Sequence, residues 1–163
     1  MTRLDEFIVR MQAQRACIDD AAARTAGRPG PVLELGLGNG RTYDHLRNRF
    51  APRPIFVFDR EVGAHPDCIP AQEYLRLGDF RMSVPAYIAE GQPRAVFIHA
   101  DIGSANRVKS TQLAADLAPA WLQILAPDGL LACDQRVALE GLQELPLPGG
   151  LVADNYHFDC RTQ

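Results

Sequence analysis

Residues 31–47, PVLELGLGNGRTYDHLR, constrain this chain more than any other stretch. Val32, Leu33 and Leu35 form an apolar run broken by one carboxylate, Glu34, the pattern of a strand buried in a parallel sheet. Gly36, Gly38 and Gly40 alternate behind it, and a helical pattern opens with Thr42, Tyr43, Asp44, His45 and Leu46. Glycine at such places admits positive φ and lets a ligand lie against the main chain without a Cβ in the way. A strand, a nucleotide-sized notch and a helix N-terminus thus follow one another. The spacing argues against a dinucleotide site, because G-x-G-x-x-G needs a third glycine where this chain has Arg41.

The remaining residues alternate between helix and strand signals. Leu4, Phe7, Ile8, Met11, Ile18 and Ala22 recur on one helical face over residues 3–26, until Gly27 and Gly30-Pro31 end the helix. A helix from Thr42 to Phe50 stops before Pro52 and Pro54, and Ile55–Asp59 reads as the second strand. Residues 61–72 hold two prolines and no period, so they form a loop, with His65 in solvent. Tyr74–Leu77 is the third strand, with Asp79 placed to cap a helix running to about Glu90. Ala95–His99 is the fourth, followed by a helix from about Asn106 to Leu125, interrupted near Pro119, with Trp121 as core filler. Residues 125–129 form a turn and Leu130–Asp134 the fifth strand. This alternation predicts one α/β domain over 1–163: an N-terminal helix (1–28), a core (31–134), and a short C-terminal element (135–163) with room for one strand or a small hairpin.

Composition narrows the function classes. Seventeen basic and twenty acidic residues give a net charge of −3, and the basic ones are scattered, which argues against an obligatory nucleic-acid partner. No apolar run approaches the roughly 18 residues of a membrane span, and no secretory h-region is present, so a soluble cytoplasmic protein is expected. Cys17, Cys68, Cys133 and Cys160 form no C-x-x-C pair and are expected to be free thiols.

The pattern E-x-G-x-G-x-G, with its acid two residues before the first glycine, resembles motif I of the class I S-adenosylmethionine-dependent methyltransferases. That resemblance covers about residues 31–134, and Leu125 with Pro127-Asp128-Gly129 also fits the family. It implies a doubly wound, mostly parallel, Rossmann-like three-layer αβα sheet with strand order 3-2-1-4-5 and a shortened C-terminal edge. It implies S-adenosyl-L-methionine as cofactor and S-adenosyl-L-homocysteine as product. Glu34 would help hold the methionine end, and Gly36, Gly38 and Gly40 would border methionine and ribose. Asp59, with Arg60 beside it, would meet the ribose hydroxyls, a role suited to an acid at that strand end because one carboxylate accepts from both. Asp79 would accept from the adenine amino group and Phe80 would pack on the ring. The N-terminal helix can help cover the cofactor in this family.

The chemistry then expected is in-line methyl transfer to a small-molecule acceptor, which requires no metal or covalent residue. Should the acceptor need to lose a proton, His99 is the first base by intrinsic pKa and Asp101 its rival, with His45 and His157 left open. FIHADIGS and LLACDQ also resemble strand ends of the catechol and caffeoyl-CoA type O-methyltransferases. On that variant His99, Asp134 and Gln135 would bind a divalent cation, although His99 and Gln135 depart from a hard-oxygen ligand set. Two other classes stay open: a non-catalytic cofactor-binding regulatory or scaffold subunit, and an aminopropyl transferase, which Glu34 disfavours. A homo-oligomer is expected, with Ala13, Ala16, Ala21, Ala22 and Ala23 permitting close helix contact and a bare sheet edge beside strand 5.

Overall fold

The computed structural model describes residues 1–162. Its elements are α1 (Arg3–Arg24), β1 (Val32–Leu35), α2 (Arg41–Phe50), β2 (Ile55–Asp59), β3 (Leu75–Leu77), α3 (Phe80–Ala89), β4 (Ala95–Ala100), α4 (Arg107–Ile124), β5 (Leu125–Cys133), β6 (Leu142–Leu145) and β7 (His157–Arg161). They build one sheet in the order β3-β2-β1-β4-β5-β7-β6. The first five strands in that order pair in parallel, and β7 runs antiparallel to both β5 and β6. Each central strand is apolar on both faces because helices cover both. Leu33, Leu35, Phe58, Ile98 and Leu131 pack on the α3–α4 side around the fully buried Trp121. Val32, Val57, Phe97, Ala132 and Phe158 pack on the other side with Ala13, Cys17 and Ile18 of α1 and Leu46 and Phe50 of α2. Among the described residues no helix is long and apolar enough to cross a membrane, and all four cysteines are free.

Five expectations are corrected by the packing. In α1 the residues turned inward are Ala13, Gln14, Cys17, Ile18 and Ala21, whereas Leu4, Phe7 and Ile8 are exposed. The first half of the helix, capped reciprocally by Thr2 and Asp5, reaches past the sheet and lines the cavities described below. Ala13 and Ala21 are therefore enclosed by this chain's own core and are not free for contact between subunits. α4 is continuous through Pro119, since burial of Ala114, Leu117, Ala118 and Trp121 holds it in place. The turn at 126–129 lies within β5: Ala95 pairs with Leu125 and Phe97 with Leu130, so the intervening residues loop out, with Asp128 at φ 57°. Finally, β5 is not a bare edge, because the antiparallel β7–β6 pair covers it.

Candidate functional site

The C-terminal ends of β1, β2 and β4 open onto a cavity of about 850 Å³. Two of the motif glycines are fixed by close approach. Gly36 has φ +94°, and a Cβ there would meet the Asp101 carbonyl oxygen at 2.1 Å, so the turn after β1 sits directly on the chain leaving β4. Gly40, at φ +84°, begins α2, and a Cβ would meet the Cys68 Cβ at 2.5 Å. Gly38, between them, lines the cavity and donates its N–H to Asp59 Oδ2 at 3.1 Å. The other Asp59 oxygen accepts from the Arg60 N–H at 2.6 Å. Asp59, Arg60 and Phe80 all line the cavity. Asp79 does not: its Oδ1 caps α3 through the Arg81 N–H at 2.8 Å, and its Oδ2 lies 3.9 Å from Arg60.

Glu34 and His99 lie beneath this floor rather than at its mouth. They are register partners across β1 and β4 and both are fully buried. His99 Nδ1 is 2.8 Å from Glu34 Oε2, and Glu34 Oε1 accepts the Thr42 hydroxyl. Burial works against a charge on His99, but the charge and hydrogen bond of Glu34, then Asp101 and Asp134, outweigh it and raise the imidazole pKa. A general base needs hydrogen-bond reach to its acceptor, directly or through one water. His99 is enclosed and lines neither this cavity nor the second one described below.

Asp101 does reach the cavity. It pairs with Arg10 of α1, and its Oδ2 accepts from Gln14 Nε2 at 2.8 Å. Arg10, Gly103 and Ser104 line both this cavity and a second one of about 840 Å³, and so form the partition between them. The second cavity is walled by polar residues that include Arg107, Thr111, Gln135, Asn155 and His157. Asp134, only 7% exposed, accepts from the backbone N–H groups of Ile102 at 3.2 Å and Gly103 at 2.8 Å, clamping the loop after β4. Burial, reinforced by Asp101, raises its pKa. His99 turned to Glu34, and Asp134 engaged by the backbone, do not assemble with Gln135 into a cation site. Among the described residues no three His, Cys, Asp or Glu side chains converge as metal ligands. His45 is bound to Asp19 at 2.9 Å, between α1 and α2.

The family described as S-adenosyl-L-methionine methyltransferase matches residues 1–161. The chain belongs to that family. It is similar along 99% of both chains to the S-adenosyl-L-methionine methyl transferase from Silicibacter pomeroyi DSS-3, with 46% identity and a TM-score of 0.93. Likenesses of fold extend to the O-methyltransferase TomG from Streptomyces achromogenes, in complex with SAM, at 11% identity and TM-score 0.64 over 92% of this chain and 79% of that one. TrmN from Thermus thermophilus aligns at 17% identity and TM-score 0.61 over 90% of this chain and 48% of that one. No curated protein matches. The chain is an S-adenosyl-L-methionine-dependent methyltransferase, which sets aside the non-catalytic and aminopropyl transferase readings.

The methyltransferase cavity suits a nucleoside with an amino-acid tail: a carboxylate on one wall, a ring at Phe80, and open space beside Gly38, where a Cβ would have no neighbour within 4 Å. Of the residues singled out in the sequence, Gly36, Gly38, Asp59, Arg60, Phe80 and Asp101 meet at this cavity, while Glu34, Gly40, Asp79 and His99 support it from outside. The sequence reading missed Arg10, Gln14 and Thr42. For Gln14 a signal existed: it is an amide within the stripe of Ala13, Cys17 and Ile18.

Proposed function

We propose that this methyltransferase acts on a small polar molecule that enters through the second cavity and takes the methyl group across the Arg10–Gly103–Ser104 partition. The observation carrying this reading is the partition itself: two cavities of similar size share those three residues at the C-terminal ends of the strands, where doubly wound sheets bind their ligands. Asp59 would hold the ribose hydroxyls, with Arg60 beside it, and Phe80 would flank the adenine. Gly36 and Gly38 would border the ribose and methionine. The bound cofactor supplies a methyl group on a positively charged sulfur, already activated for transfer. What remains for the protein is to align donor and acceptor and to exclude water. Arg10 and Gln14 reach down from α1 to Asp101 and close the cavity over that line. Of the two groups expected to serve as a base, Asp101 lines the cavity and would take an acceptor proton once an acceptor displaces Arg10 or Gln14 from its carboxylate.

The wall of the second cavity carries Glu6, Asp134 and Asp154 beside Arg10, Arg107 and Arg136, a balance of signs that suits a small polar acceptor better than a nucleic-acid backbone. The assembly that fits is a cytoplasmic homo-oligomer, joined through the exposed Leu4 and Ile8 of α1. Light scattering should report more than one chain per particle. Methyl-labelled S-adenosylmethionine incubated with the enzyme and a cell extract tests the acceptor class. Label in the small-molecule fraction supports the proposal; label confined to RNA or protein contradicts it.

A further inference from the structure

The end of the sheet opposite the cofactor cavity carries an opening of another kind. Pro31 leads into β1 and Pro54 into β2, and a groove of about 610 Å³ lies between these strand starts and the C-terminal end of α1. Buried Pro31, Phe50 and Phe56 floor it, and exposed Pro52, Pro54 and Pro93 form its rim. The volume falls within the roughly 300–1,000 Å³ of small-molecule sites. Proline fixes φ, so the rim loses little freedom when a ligand arrives. Among the described residues no Asp or Glu lines the groove, and its charged side chains are Arg49 and Arg53. Arg49 is paired with Asp19 at 2.8 Å.

Arg53 has no carboxylate partner among the described residues. Its Nη1 donates to the carbonyls of Arg28 and Gly30, and its Nη2 to the Thr25 carbonyl at 3.1 Å, which clamps the guanidinium against the turn from α1 to β1. A guanidinium has five N–H donors, and these bonds use three. The two left over sit on Nε and Nη2, the same nitrogens with which Arg76 grips both oxygens of Glu90 in this chain. Burial first, and the like charge of Arg28 second, hold the Arg53 pKa below its ordinary value. A half-buried cation that meets only neutral carbonyls and another cation is one that an incoming anion would stabilise. We propose that this groove binds a small monocarboxylate with an apolar body, its carboxylate taken by the Nε–H and Nη2–H of Arg53 and its body laid over Phe50 and Phe56. One guanidinium without a counter-charge on an apolar floor suits a single small acid better than an extended acidic segment of another protein. The site is separate from the cofactor and acceptor cavities and does not depend on how those are read.

Two-dimensional NMR of the full ¹⁵N-labelled chain tests it with two probes: 4-phenylbutyrate, and 4-phenylbutyramide, which has the same body without the charge. The acid should shift the amides of Gly27 and Gly30 saturably at about millimolar concentration, as expected of a ligand this small. The amide should bind about tenfold more weakly, the usual effect of losing a hydrogen bond to a charged group. The same shifts should persist in the presence of S-adenosylhomocysteine. Arg53→Gln should remove the preference for the acid. Because Arg53 also braces the α1–β1 turn, that variant can fail to fold, and Ala26→Trp, which keeps Arg53 and fills the groove, then decides. It should weaken binding of the acid about tenfold or more. Equal affinity for acid and amide in the wild-type chain, or undiminished binding in Ala26→Trp, would overturn the site. So would shifts confined to Gly103 and Ser104 at the other end of the sheet, or no saturable shift at Gly27 and Gly30, the result expected of a groove reserved for a partner chain.

Discussion

Asp59 closes β2 and Asp134 follows β5, and the two acids do opposite things. Asp59 is partly exposed on the cavity wall, where its oxygens accept the local N–H groups of Gly38 and Arg60. Asp134 is enclosed, and both its oxygens are engaged by the Ile102–Gly103 turn and Gln135. On the β1–β3 side the mouth of the sheet is shaped by backbone, chiefly glycine turns, and side chains stay available to a ligand. On the β4–β5 side the side chains themselves hold the loops, and the cavity beyond them is walled by what is left. The place of an acid at a strand end therefore says where it is, while its use depends on the loop it meets.

The contrast can be broken hardest at Gly36. A methyl group there would run into the Asp101 carbonyl at a position already at φ +94°, so Gly36→Ala should lose about 3 kcal/mol or more in urea unfolding. A variant as stable as wild type would mean that the two loops do not touch. Asp134→Ala comes next, with a loss of about 2–3 kcal/mol of stability, because two backbone N–H groups lose their acceptor. Asp59→Ala should do the reverse: its two N–H partners are exposed and can turn to water, so the melting temperature stays in place while S-adenosylhomocysteine binding weakens by about 1.5–3 kcal/mol. If the two variants behaved alike in both assays, the distinction between the two sides of the mouth would fail.

The smallest effect belongs to Asp159, a buried acid on β7 whose Oδ2 has no hydrogen-bond partner among the described residues. Burial first, and Glu144 across the strand pair second, push its pKa up to about 6. The folded state thus retains a proton that the unfolded chain releases near its ordinary value of about 4. Stability from this group is greatest below that value, falls as pH rises to about 6, and is level above it. Asp159→Asn, which mimics the protonated form, should remove that slope and stabilise the protein by about 1–2 kcal/mol at pH 7.5. Unfolding curves at pH 4.5 and 7.5 for both proteins measure the difference, and parallel slopes would count against a raised pKa.

The parts legible in the sequence were those set by short-range rules. The glycine turn, the acid closing β2 and the apolar strands each announce themselves within a few residues, and the first five strands lie in the order that the family resemblance implied. The roles of His99 and Glu34 were hidden because they arise from the β1–β4 register, which joins residues 65 positions apart. A histidine at the end of a strand has the same local pattern whether it faces a ligand or a buried carboxylate. In α1 the periodicity was real but belonged to two environments, core for Cys17 and Ile18 and cavity roof for Phe7 and Met11. For β7, the alternation of Tyr156, Phe158 and Cys160 was a usable signal of a strand with one buried face.

The central claim is that the β1–β2 notch binds one S-adenosylmethionine per chain. Isothermal titration of the purified protein with S-adenosylhomocysteine, NAD and ATP tests it most directly. The account predicts saturable binding of S-adenosylhomocysteine at one site per chain, lost progressively in Asp59→Ala, with no binding of NAD or ATP at the same concentrations. Preferred binding of NAD, or S-adenosylhomocysteine binding indifferent to Asp59, would contradict it.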